Sequence, residues 1–272
     1  REVDAIVEVV RCFEDNNITH VEGKIDPIHD IEIIGLELIF ADLEVVENRL
    51  NRIGKKAKMS NDKDTKMEVA LLERIKNVLM DNKPIRSMEF TQEEEKFLKP
   101  FCFLTKKPII YVANINEDEI TNGDNEYVKK VREYASVENA EVIVVCAKIE
   151  EELSELSKED KELFLQDLGI AESGLDQLVK ATYHLLGLAT FFTSGTDEVR
   201  AWTFKKGMKA PQCAGLIHTD FERGFIKAEV TSFSDLKKYG SELKVKEAGK
   251  MRLEGKEYEM QDGDICLFRF NV

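Results

Sequence analysis

The pattern of apolar and polar positions predicts a layered sheet in the middle of the chain. Residues 108–113 and 141–146 are nearly continuous apolar runs rich in β-branched side chains, which is typical of parallel strands covered by helices on both faces. Between them, residues 125–136 carry apolar side chains at helical spacing. These segments predict a strand–helix–strand unit with a right-handed crossover. With a further strand at 5–13, imperfect because of its charges, they indicate half of a doubly wound parallel α/β sheet.

A helical segment interrupts this sheet pattern. Aliphatic residues recur from Leu36 to Ile53 in alternating steps of three and four residues, which is the a/d seam of a coiled coil. A second apolar stripe runs from Met67 to Val78, and Pro84 is expected to end its helix. The sequence therefore predicts an antiparallel helical hairpin inserted between two strands of the sheet.

The last part of the chain changes to short strand-like runs and turns. Strands are predicted at 199–204, 224–230 and 264–270, and short helices at 211–217 and 234–239. This pattern indicates a small α+β domain, preceded by two helical stretches at about 158–168 and 173–189 that complete the sheet domain. The predicted organisation has four segments: 1–23 and 105–189 form the sheet domain, 24–104 is the helical insertion, and 190–272 is the small domain.

Composition indicates the cellular compartment of the protein. Hydrophobic residues make up 43% of 272 residues, and no run approaches the roughly 18 apolar residues of a membrane helix. The first residues carry no signal-peptide pattern, and the five cysteines are scattered without a C-x-x-C pair. We therefore expect a reduced, cytoplasmic protein with no membrane partner and no disulfide framework. The four histidines show no metal-ligand spacing, so no metal site is expected from them.

The tip of the predicted hairpin is an exception to the acidity of the chain. The net charge of −14 argues against nonspecific binding of nucleic acid by the whole surface and gives no basis for DNA specificity. At the tip, however, six basic residues oppose two acidic ones, and such a patch can contact RNA or the ribosome electrostatically. The alternative interpretation is a solvated loop without a ligand. The candidate contact residues are Lys55, Lys56, Lys58 and Lys63.

Polar residues follow two successive predicted strands. Asn114 and Glu117 come directly after the first apolar run, and Lys148 closes the second. In such sheets ligands bind at the carboxyl ends of the strands, where an Asn amide can contact a purine edge and a carboxylate can accept from an exocyclic amino group. Each residue alone is common at a strand end, and Asn114 could simply form an Asx turn. Together they indicate a purine-base pocket, although the chain contains no G-x-x-x-x-G-K-[ST] phosphate loop.

Longer sequence segments indicate a protein family more specifically than these short motifs do. Residues 11–15, 18–27, 198–203 and above all 210–230 (Ala-Pro-Gln-Cys-Ala-Gly-Leu-Ile-His-Thr-Asp-Phe-Glu-Arg-Gly-Phe-Ile-Lys-Ala-Glu-Val) resemble the YchF / Obg-like ATPase family of P-loop proteins. The resemblance implies a P-loop NTPase domain interrupted by a coiled-coil-like insertion and followed by a TGS domain with a ubiquitin-like β-grasp fold. It also implies a ribosome-associated, monomeric protein that binds and hydrolyses ATP, with GTP less favoured, and regulates translation or a stress response.

The same resemblance assigns roles to the residues at the strand ends. Residues 114–117 (Asn-Ile-Asn-Glu) are similar to the family's Asn-x-x-Glu motif, which is associated with ATP and replaces the Asn-Lys-x-Asp of related GTPases. Residues 146–148 (Cys-Ala-Lys) are similar to a Ser-Ala-Lys-type element, with Cys in the place of Ser. The residues expected to bind the nucleotide base are Asn114, Ile115, Asn116, Glu117, Cys146, Ala147 and Lys148.

The catalytic parts of the family have no counterpart in these residues. The phosphate loop, the metal-binding Thr or Ser and the Asp-x-x-Gly switch are expected upstream of Arg1, together with the Mg²⁺ ligands. Because phosphoryl transfer depends on those parts, we expect no catalytic residue here and no ATP hydrolysis by these 272 residues alone. Two alternatives stay open: a noncatalytic RNA- or ribosome-binding adaptor using the TGS domain and the hairpin, and a helical scaffold whose seam pairs with another chain.

Overall fold

The computed structural model describes residues 1–15, 25–59, 62–195 and 198–271, with the backbone alone for 55–59. These residues form two compact units, Arg1–Thr182 and Tyr183–Val272. The predicted boundary at 23/24 and most of the segment at 18–27 lie outside the described residues. Among the helices that the structure describes, none has both the length and the apolar composition needed to cross a membrane.

A three-stranded parallel sheet forms the centre of the first unit. Its strands lie side by side in chain order: β1 (Ile6–Arg11), β2 (Ile109–Asn114) and β3 (Glu141–Val145). The helices that begin in this unit are α1 (Pro27–Met59), α2 (Lys63–Met80), α3 (Gln92–Leu98), α4 (Glu126–Val137), α5 (Ala147–Glu155), α6 (Lys158–Asp167) and α7 (Gly174–Leu185). The predicted strand–helix–strand unit is confirmed as β2–α4–β3.

Burial on both faces explains why β2 is an unbroken apolar run. Every residue from Ile109 to Ala113 is buried, so the strand has no polar face to present to water. Helix α4 packs against the sheet through Val128 and Val131. The N-cap of α4 is Asn125, whose side chain accepts a hydrogen bond of 2.9 Å from the Val128 N–H.

Helices α1 and α2 pack against each other along the apolar seam of α1. Buried seam residues of α1 lie in one cluster with the buried residues of α2, namely Ile39, Val46 and Ile53 with Leu71, Leu72, Ile75 and Leu79. The ion pairs Arg49–Glu68 and Glu47–Lys76 connect the two helices in opposite chain order, so the helices run antiparallel. The seam is therefore covered within the chain itself.

The second unit is a mixed five-stranded sheet covered by short helices. Its strands are β4 (Leu188–Ser194), β5 (Val199–Lys205), β6 (Phe225–Ser232), β7 (Arg252–Glu254) and β8 (Asp264–Phe270), and its helices are α8 (Ala210–Ile217), α9 (Thr219–Arg223), α10 (Phe233–Tyr239) and α11 (Glu242–Glu247). The spatial order is β5-β4-β8-β6-β7, with β4 and β8 parallel and the other pairs antiparallel. Helix α8 buries Cys213 in a core of phenylalanines.

Two predictions about the helices around the sheet were incomplete. The helix predicted at 173–189 ends at Leu185, because Gly187 takes a left-handed φ of +61° and strand β4 follows at once. Helix α5 was not predicted, although Ile149 and Leu153 give it a buried face. Four of the nine residues of this helix are glutamates, and its apolar periodicity is too short to stand out in the sequence.

Candidate nucleotide-base site

A cavity of about 800 Å³ opens at the carboxyl ends of β2 and β3. Its lining includes the loop after β2 and the junction of β3 with α5. The structure brings together all seven residues that the sequence indicated for base binding: Asn114, Ile115, Asn116, Glu117, Cys146, Ala147 and Lys148. The first four of these residues are at least 29 positions away from the last three in sequence, yet all seven share one surface.

The register of the parallel strands brings these two loops together. Asn114, the last residue of β2, pairs with Val145, the last residue of β3. The next residue, Ile115, donates its N–H to the Val145 carbonyl at 2.9 Å. Since both strands run in the same direction and end at the same level, both loops leave the sheet at one edge.

Asn114 connects the elements around the site through hydrogen bonds. Its Oδ1 accepts a hydrogen bond of 3.0 Å from the Ala147 N–H at the start of α5. Its backbone carbonyl accepts from the Cys12 N–H at 2.8 Å, after the end of β1. The amide oxygen is thus engaged within the protein, and the NH₂ group is the part of this side chain left to contact a ligand.

Asn116 shapes the turn that presents Glu117. Its N–H donates to Glu119 Oε2 at 3.2 Å, and its Nδ2 donates to the Glu14 carbonyl at 3.2 Å. These bonds fix the start of a short 3₁₀ turn over Glu117–Glu119. The Asn116 side chain therefore serves a structural purpose at this position.

Glu117 and Lys148 form an ion pair across the mouth of the cavity. The Lys148 Nζ lies 2.5 Å from Glu117 Oε2, with the two side chains 65% and 48% exposed. The hydrogen bond that Lys148 donates to Glu117 is the main cause of the raised pKa of Lys148. An ion pair this exposed contributes little to stability. Glu117 can consequently exchange Lys148 for another hydrogen-bond donor at small cost.

The charge of the lining favours an uncharged group over a phosphate. Asp15, Asp118 and Glu151 line the cavity in addition to Glu117, whereas Lys148 is the one cation among the described lining residues. Carboxylates repel polyphosphate, so this part of the site suits a neutral heterocycle. Sequence reasoning missed Asp15, which comes from a distant segment, and Glu151, which lies one helical turn after Lys148. Glu151 would have been found only by predicting α5.

The described residues do not assemble a metal centre. Within 1–15, 25–59, 62–195 and 198–271, no three His, Cys, Asp or Glu side chains cluster so that they could hold a metal ion. The buried thiol of Cys12 has a pKa raised to about 12, mainly by burial, with Glu119 and Asp30 adding to the effect. This thiol is therefore protonated at neutral pH.

Comparison with known proteins identifies the relatives of the chain. The family model YchF-GTPase_C, described as a protein of unknown function (DUF933), matches residues 188–271. The ribosome-binding ATPase YchF of Bacillus subtilis (strain 168) is 62% identical over 273 residues, covering the whole chain and 74% of that protein. Obg-like ATPase 1 of Oryza sativa subsp. japonica is 41% identical over 274 residues, covering the whole chain and 69% of that protein. The structure of the Schizosaccharomyces pombe YchF GTPase matches with a TM-score of 0.84 at 36% identity, covering 98% of this chain and 72% of that one.

Proposed function

The chain belongs to the YchF / Obg-like ATPase family, and we propose that it provides the base-binding part of a ribosome-associated, cytoplasmic protein that binds and hydrolyses ATP. The observation that carries this proposal is the convergence of residues 114–117 and 146–148 at one cavity. Relatives that match the whole chain are named ribosome-binding ATPases. These names support ATP as the nucleotide and the ribosome as the partner. We further propose that the protein acts as a monomer in translation or a stress response.

The architecture is proposed to be that of the family. The parallel sheet of the first unit corresponds to part of a doubly wound P-loop NTPase sheet, and α1 and α2 to the coiled-coil-like insertion at 24–104. We assign the second unit to a TGS domain at 190–272. Support for a β-grasp fold comes from its mixed five-stranded sheet, in which the first and last strands, β4 and β8, form the central parallel pair.

In this proposal each side chain of the cavity has a distinct role in selecting the base. Glu117 accepts a hydrogen bond from the 6-amino group of adenine, and the free NH₂ group of Asn114 donates to a ring nitrogen. Ile115 and Leu168 supply apolar surface in the cavity. The Lys148 stem can lie along the base once its ammonium group has left Glu117. When bound, Mg²⁺ neutralises charge on the phosphates, and we assign its ligands to none of the described residues.

Replacing Glu117 with aspartate should move nucleotide preference from ATP toward GTP by about tenfold, or about 1.4 kcal/mol. The shorter side chain places its carboxylate where it can accept from the ring N–H and amino group of guanine. The measurement is a titration of the whole protein with fluorescent ATP and GTP analogues. Glu151→Asp, the same change on another lining residue of the cavity, is the matched control and should leave the ratio unchanged. If the ratio of the affinities for ATP and GTP were unaltered in Glu117→Asp, the base-binding role of Glu117 would be refuted.

Replacing Lys55, Lys56 and Lys58 with alanine should weaken co-sedimentation with ribosomes about tenfold and flatten its salt dependence. We propose that these lysines, with Lys63, contact ribosomal RNA. Lys63 is exposed at the start of α2, while the side chains of the other three lie outside the described part. A triple alanine variant of the exposed Lys129, Lys130 and Lys158 removes the same charge elsewhere and serves as the control. An equal loss of ribosome co-sedimentation in both variants would show that the hairpin tip is not a specific contact site.

A further inference from the structure

A second cavity, of about 300 Å³, lies in the first unit away from the base site. Strands β1 and β2 form one wall of this cavity, and α1 and α4 contribute others. It shares no lining residue with the cavity at the carboxyl ends of the strands. A concave, partly apolar space of this size is large enough for a small organic ligand.

A glycine in the N-terminal third of α1 keeps this space open. Gly35 lines the cavity, and a Cβ built on it would meet no atom within 4 Å. Glycine in a helix interior weakens the helix relative to alanine, and no neighbouring atom of the described residues requires its small size. The missing side chain leaves the cavity unfilled.

The polar lining contains a carboxylate without a partner. Glu8 makes no hydrogen bond or ion pair with any residue that the structure describes. The Arg86 guanidinium donates from Nη2 to Glu138 Oε2 at 2.7 Å, while its buried Nε has no hydrogen-bond partner among the described residues. Glu138 also accepts from the Tyr111 hydroxyl at 3.2 Å. With Glu32 on α1, the lining holds three carboxylates and one guanidinium. The electrostatic balance therefore favours a positively charged ligand.

The environment of Glu8 makes its ionised form costly. Burial raises the pKa of Glu8 to about 7, opposed by Arg86 and reinforced by Glu138. The other titratable groups of the lining are Glu32, Tyr111 and Tyr134, and the two tyrosine rings meet edge to face with centroids 6.1 Å apart. A cation in contact with Glu8 would stabilise the ionised carboxylate. The tyrosine rings can additionally interact with such a cation.

We propose that this cavity binds a small organic cation, a primary ammonium compound with a compact apolar body, and that Glu8 is its ion-pair partner. The ammonium group lies between Glu8 and the rings of Tyr111 and Tyr134. The apolar body packs against Ile31 and the surface left open by Gly35. This proposal does not depend on nucleotide binding. If the cavity bound no cation, the proposed base site would be unaffected.

The test is a titration of the whole protein with benzylammonium, benzyl alcohol and benzoate, followed by NMR shifts of backbone amides. Benzylammonium is expected to cause saturable shifts around Glu8, Gly35 and Tyr134 and to bind at least tenfold more tightly than the other two probes. Glu8→Gln should weaken its binding at least tenfold. Gly35→Leu, which fills the cavity, should abolish it. Gly35→Ala adds a methyl group into open space and should retain binding and folding.

The pH dependence provides a second, independent measurement. Because Glu8 must be ionised and its pKa in the free protein is raised to about 7, benzylammonium should bind about tenfold more tightly at pH 8 than at pH 6. Glu8→Gln should remove this dependence. Equal affinity for benzylammonium and benzyl alcohol, tighter binding of benzoate, or no saturable binding up to roughly 10 mM would each overturn the proposal.

Discussion

Replacing Gly224 with alanine is expected to destabilise the second unit by about 3 kcal/mol, at the upper end of what overpacking usually costs. A Cβ on Gly224 would lie 2.0 Å from the carbonyl oxygen of Asn271 and 2.9 Å from its carbonyl carbon. Both atoms belong to the backbone, so no side chain can swing away. The neighbouring hydrogen bond from the Asn271 N–H to the Gly224 carbonyl, 2.9 Å long, would also be distorted.

Urea unfolding followed by tryptophan fluorescence would measure this effect directly. Trp202 is the single tryptophan of the chain and lies in β5, so its emission reports on the second unit. Gly255→Ala is the matched control, because a Cβ there meets nothing within 4 Å and its φ is not left-handed. A Gly224→Ala midpoint equal to that of the control would show that the close approach between Gly224 and Asn271 does not limit stability.

The strands were predictable where burial alone determines the residue type. Strand β2 is buried along its whole apolar run, and the run is therefore visible without knowledge of its neighbours. Strand β1 was harder to recognise, because Glu8 interrupts its pattern. In the structure this residue lines a cavity. The sequence contains no signal for that environment, which is formed by α1, α4 and the turn that carries Arg86.

The candidate base site was predictable in the residues that line it and less so in its geometry. Residues 114–117 and 146–148 are local motifs, and the rule that parallel strands end at one edge is sufficient to bring them together. The engagement of the Asn114 oxygen by the Ala147 N–H was not predictable, because it depends on where α5 begins. Similarly, the acidic lining supplied by Asp15 and Glu151 arises only through folding.

Replacing Asp42 with alanine is expected to destabilise the first unit by about 3–5 kcal/mol, the range found when one partner of a buried charged network is removed. Asp42 lies on α1 and is fully buried. Its carboxylate accepts from the Thr105 N–H at 2.7 Å, the Thr105 hydroxyl at 2.9 Å and the Leu104 N–H at 3.0 Å, and pairs with Arg1 at 2.7 Å. Arg1 is partly exposed and can regain water. The buried N–H and hydroxyl of Thr105 cannot regain water, and leaving them without an acceptor accounts for most of the expected loss of stability.

Thr105 lies just before β2, so this network attaches α1 to the segment that leads into the strand that ends at the candidate base site. Loss of Asp42 should therefore increase hydrogen exchange at the Leu104 and Thr105 amides well before the sheet itself opens. Urea unfolding followed by circular dichroism measures the accompanying loss of stability. Glu44→Ala removes an exposed carboxylate from the same helix and should change stability by no more than about 0.5 kcal/mol. If Asp42→Ala behaved like Glu44→Ala, the network would contribute nothing to the attachment of α1.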